Sequence, residues 1–128
     1  MPSTSSQLWT ARILGGIAVL FLLFDTVIHL IPNQQVLDAF TELGFPPHLS
    51  TTLGVIELIG LILYLLPQTS VLGAIIWTGY LGGAIATHVR VGNPLFSHTL
   101  FPVYIAVLLW AGIFLRDGRV RELIPIKK

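Results

Sequence analysis

The sequence predicts an all-α fold, an integral membrane four-helix bundle with both termini cytoplasmic, and three observations predict it. Of the 128 residues, 54% are hydrophobic and only 10% charged, with mean hydropathy +0.84; soluble domains carry about 25% charged residues. Four apolar runs, at 13–31, 51–66, 71–88 and 100–115, each approach the roughly 20 residues needed to cross a bilayer core. The basic residues are also unequally shared. Arg12, Arg116, Arg119, Arg121, Lys127 and Lys128 fall on the side that holds both termini, and Arg90 alone falls on the other, so the positive-inside rule puts the termini in the cytoplasm.

Each span has local punctuation. The first follows a short polar stretch and Arg12, and it resembles a signal peptide until Asp25 and His29 appear where a small-residue cleavage site would stand. It is therefore expected to be a retained helix, ended by Pro32. Residues 33–48 are the one sizeable loop, and Val36, Leu37, Phe40 and Leu43 recur in it at helical spacing, which predicts a short amphipathic helix on the membrane surface. Pro46 and Pro47 precede the second span, with Ser50 and Thr51 as candidate N-caps. That span has only sixteen residues and needs its flanks. The turn at 67–70 is so tight that spans two and three must be antiparallel neighbours. Gly92-Asn93-Pro94 turns the chain toward the last span, and Pro102 sits in that span's first turn, where a missing N–H costs little. One unit, 1–128, accounts for the whole chain.

This topology gathers the polar residues. All four histidines, His29, His48, His88 and His98, fall at the external ends of spans. At 1.5 Å per residue, Asp25 and Glu57 lie about 9–10 Å inside that face, at similar depth. Asp25 and His29 are four residues apart and share a helical face, so the carboxylate can pair with or orient the imidazole. Tyr80, Ala84 and His88 share a face of span three. A polar pocket lined by Asp25, His29, Glu57, Tyr80, His88, Arg90 and His98 is the expectation, with His88 or Arg90 as ion-pair partners of the two acids. Intramembrane acids cost about 2.5–3.5 kcal/mol on insertion scales, so each needs a partner or a proton. Gly79 and Gly83, with their small neighbours, are expected to let span three approach another helix closely.

Several functions fit such a pocket. With no cysteine in the chain, disulfides, thiolate metal sites and CxxC redox chemistry are excluded, and a redox role requires a bound cofactor. One reading is a lipophilic small molecule with a polar head, such as quinone, held by a few donors between aliphatic walls. A second is acid/base chemistry on a lipophilic substrate, with Asp25, Glu57 and His88 as candidate catalytic groups. A third is Zn²⁺ or Cu²⁺ bound by His29, His88, His98 and Glu57, although no HxxxH or HExxH spacing supports it. A structural or partner-stabilising subunit is the fourth. The basic residues read as topology determinants that meet lipid headgroups, which argues against a nucleic-acid partner.

From about residue 53 to 117 the chain resembles the DoxX-like family of small four-helix membrane proteins. The resemblance rests on LGVIELIGLILYLLP, on TSVLGAIIWTGYLGGAIATHVRVGNPLFSH and on the ending at Leu115-Arg116-Asp117; the first span matches in position. Glu57, His88 and Arg90 are the matching polar residues. The family takes its name from a subunit of a thiosulfate:quinone oxidoreductase, and some relatives are linked to membrane redox complexes. The resemblance thus implies the bundle and a quinone-linked or redox-accessory role; the expected location is the cell inner membrane, as a multi-pass protein, with a homo-oligomer or a redox-complex partner as candidate partners.

Overall fold

The computed structural model describes residues 2–128, and among them every regular element is helical. In chain order these are α1 (Ser5–Leu30), α2 (Gln34–Glu42), α3 (Leu49–Leu65), α4 (Ser70–Val91), a π-helical turn (Leu95–Thr99), α5 (Phe101–Arg116) and α6 (Gly118–Leu123). Three helical runs are long and apolar enough to cross a membrane: Ser5–Leu30, Ser70–Val91 and Leu95–Arg116. The fourth apolar helix, Leu49–Leu65, is shorter.

Helix α1 begins before its apolar run because a cap and not hydropathy sets its N-terminal end. Thr4 opens α1 with a capping box, its hydroxyl accepting from Gln7 N–H while the Gln7 side chain accepts from Thr4 N–H. Asn33 caps α2 through Val36 N–H, which confirms a helix in the loop. The expected caps at Ser50 and Thr51 are not used. Residue 48 takes the N-cap position without a side-chain bond, and Ser50 Oγ instead donates to the His29 carbonyl at 2.9 Å. That carbonyl is in the last turn of α1 and has no intrahelical partner of its own.

Helix α1 packs against α3 and α5, and α4 packs against the same two, so the four helices close a ring. Their inward stripes form the core, centred on Ala18, Leu61, Tyr64, Trp77, Leu109 and Ile113. Large apolar side chains such as Ile13, Leu20, Phe24, Ile59 and Val107 face outward, which suits lipid and not water as the surrounding solvent. Ser3 Oγ donates to the Leu115 carbonyl at 2.7 Å, and Arg121 donates to Ser3 Oγ at 3.1 Å. Both ends of the chain therefore meet at one end of the ring.

The close helix approaches are not where the sequence suggests. A Cβ added at Gly79 or Gly83 would meet nothing within 4 Å, whereas one at Gly73 would run into the Tyr64 backbone and lie 2.8 Å from the Gly60 carbonyl. Helices α3 and α4 thus touch backbone to backbone at Gly73, just after the 67–70 turn. At the crossing of α1 and α5, a Cβ on Gly112 would lie 3.1 Å from Gly15 Cα. Tyr64 reaches this crossing from α3 and donates its buried hydroxyl to the Leu109 carbonyl at 2.8 Å. The expected Gly79–Gly83 interface is replaced by open space.

Candidate functional site

The buried stripe of α3 runs Ser50, Gly54, Glu57, Gly60, Leu61, Tyr64, a spacing of three and four that keeps one face inward. Glu57 is on that stripe, so its side chain is fully buried. Gly54 brings α3 close to the end of α1, where an added Cβ would be 2.9 Å from Leu30 N. With Ser50 holding the His29 carbonyl, this contact sets the register of the two helices. As a result, His29 Nδ1 lies 2.5 Å from Glu57 Oε2 and 3.3 Å from Asp25 Oδ2.

The pairing of Asp25 with His29 follows from their four-residue spacing, but the pairing of His29 with Glu57 is tertiary. Among the described residues, Asp25, His29 and Glu57 form a group whose donor atoms all fall within 4.8 Å of one another. Glu57 Oε1 is buried without a hydrogen-bond partner, and so is Trp77 Nε1. His29 also meets the edge of Phe40 from α2, with centroids 5.3 Å apart. The hydroxyl of Tyr80 faces Glu57 and Asp25, and its ring packs edge-on against Trp77 at 5.4 Å.

A second polar group lies where α4 ends and the π-helical turn begins. His88 and His98 pack edge to face with centroids 5.8 Å apart. Asn93 Nδ2 donates to His88 Nδ1 at 2.7 Å, and Ser97 Oγ bonds to His98 Nδ1 at 2.8 Å. The four residues expected to bind metal, His29, His88, His98 and Glu57, are therefore divided between two groups, and Asp25 joins the first.

Arg90 belongs to neither group. Its guanidinium donates to the Leu43 carbonyl and lies over the Phe45 ring at 6.0 Å, so it ties the end of α4 to the segment after α2. The expected pairing of Arg90 with an acid is not formed. His48 is exposed in the loop.

Both polar groups border one cavity of about 940 Å³. Asp25, His29, Tyr80, His88 and His98 are on its wall, Glu57 is buried behind His29, and the rest of the lining is mostly apolar, including Phe21, Ile56, Ile75 and Phe101. Gly79 and Gly83 also line it, which explains the space in front of them. Phe40, Leu43 and Phe45 border the cavity from α2 and the segment that follows. Neither the hollowing role of the two glycines nor the placement of α2 was legible in the sequence. A run of small residues reads the same whether it faces a helix or a void.

The model of the DoxX-like family matches residues 13–112, from α1 through most of α5. No curated protein and no solved structure matches the chain.

Proposed function

The chain belongs to the DoxX-like family of membrane proteins, and we propose that it is a four-span inner-membrane bundle whose cavity binds a lipophilic small molecule with a polar head, a quinone by class. The observation that carries this reading is the cavity itself. At about 940 Å³ it lies within the range of ligand sites, about 300–1,000 Å³, and it has the expected character, apolar walls with a few convergent polar groups. His29 is oriented by Glu57 through Nδ1, and its Nε2 has no protein partner among the described residues. That nitrogen, the Tyr80 hydroxyl and the His88–His98 pair supply donors and acceptors for the oxygens of a head group. The lipophilic tail leaves between helices toward lipid.

A redox-associated or accessory role follows from this ligand class and from the family. With the basic termini in the cytoplasm, the cavity opens toward the external leaflet. A second reading, acid/base chemistry on a lipophilic substrate, is favoured by the same His29–Glu57 arrangement, since a buried carboxylate that orients an imidazole is the geometry of a general base.

The test is extraction and mass spectrometry of the gently solubilised protein, followed by titration of the stripped protein with a short-chain quinone. Quinone should co-purify and rebind, and Gly83→Leu should abolish both by filling the cavity while the protein stays folded. Unchanged quinone binding in a folded Gly83→Leu variant would overturn the cavity assignment. Turnover of a lipophilic substrate without quinone binding would favour the second reading.

A further inference from the structure

We propose that Asp25, His29 and Glu57 bind a first-row divalent metal ion, Zn²⁺ or a close relative, at the polar end of the cavity. This goes beyond the lipophilic-ligand reading and does not depend on it. The donor set is an imidazole nitrogen and two carboxylate oxygens, which are ordinary ligands for such ions. Ligand atoms held about 2.0–2.2 Å from a tetrahedral metal lie about 3.4 Å apart. Asp25 Oδ2 and His29 Nδ1 are already separated by 3.3 Å. The 2.5 Å contact between His29 and Glu57 has to open by about 0.9 Å to reach that tetrahedral spacing, a displacement available to a carboxylate through rotation of its side chain.

Two further observations point to a cation. Glu57 Oε1 is buried and has no hydrogen-bond partner, although its side chain has no solvent exposure. A buried carboxylate oxygen without a hydrogen bond of ordinary geometry is costly. The pair of acids also lacks a permanent cation. Arg90, the basic residue expected to pair with them, is engaged with Leu43 and Phe45, which leaves His29 as the basic side chain that contacts the two carboxyl groups among the described residues. A divalent ion with neutral His29 balances the two carboxylates once both have lost their protons. Asp25 is 41% exposed and borders the cavity with His29. Coordination positions not taken by protein thus face the cavity, as in an open site rather than a closed structural one.

The test uses the full chain in detergent, stripped with chelator and titrated with Zn²⁺ alone by calorimetry, with Co²⁺ absorption as a report on ligand geometry. The expected result is one ion per chain, a Zn²⁺-dependent rise in melting temperature, and affinity weakened at least about tenfold by Asp25→Asn and by Glu57→Gln, since even outer-shell changes cost about 10–100-fold. His48→Ala, in the exposed loop, should leave affinity unchanged. If Glu57→Gln fails to fold, the half-exposed Asp25→Asn carries the comparison. Absence of Zn²⁺ binding by the wild-type chain, or affinity unaltered in Asp25→Asn, overturns the proposal and leaves protons as the balancing charge. Neither result affects the quinone titration, which is performed on metal-free protein.

Discussion

Alanine substitutions at two glycines of the same helix should have opposite effects. At Gly73 a Cβ runs into the backbone of Tyr64 and approaches the Gly60 carbonyl to 2.8 Å. These are backbone atoms of a helix fixed by a tight turn and by Ser70 Oγ bonding to the Tyr64 carbonyl at 2.8 Å, so no flexible side chain can yield. Overpacking costs about 1–3 kcal/mol where a core partly relaxes, and the upper end applies here, about 3 kcal/mol. Gly83→Ala meets nothing within 4 Å and removes a helix-interior glycine, a gain of about 0.5–1 kcal/mol. Two chemically identical substitutions ten residues apart should therefore differ by about 4 kcal/mol. Equilibrium unfolding in mixed detergent micelles, followed by circular dichroism, reads this difference directly. A Gly73→Ala variant as stable as wild type, or a Gly83→Ala variant less stable by more than about 1 kcal/mol, would show that α4 meets its neighbours through Gly79 and Gly83, and the cavity would not exist as described.

Two other expectations test topology and core. Single cysteines at Gln35 and Asn93 in this cysteine-free chain should be labelled from outside intact cells and one at Lys127 should not; the reverse pattern would place the cavity on the cytoplasmic side. Tyr64→Phe removes a buried donor to the Leu109 carbonyl and should cost about 0.5–1.5 kcal/mol in the same unfolding assay, so an unchanged midpoint would mean that the hydroxyl does not join α3 to α5.

Much of the protein was legible in one dimension. Hydropathy determined that it is a helical membrane protein, because a chain in lipid must satisfy its backbone within each helix. The apolar runs located the long helices, and prolines and glycines located the turns. The loop periodicity found α2. Helix ends were less legible: α1 begins eight residues before its apolar run because Thr4 and Gln7 form a capping box in polar sequence. The i, i+4 spacing joined Asp25 to His29, and equal depth brought Glu57 near them.

Depth along a helix does not give rotation around it, and the remaining features depended on rotation. The buried stripe of α3 turned Glu57 inward to His29, while α4 carried Arg90 outward to the Leu43 carbonyl. His88 and His98 paired with each other instead of joining the acids. Helices α3 and α4 touch backbone to backbone at Gly73, beside their four-residue turn, while the small residues that read as an interface at Gly79 and Gly83 became the wall of a cavity. Sequence determined which segments form apolar helices and how far along each helix the polar groups lie. Only the packing of four helices decided which of them face one another, because that choice is made by side-chain volume between helices and not by any single helix.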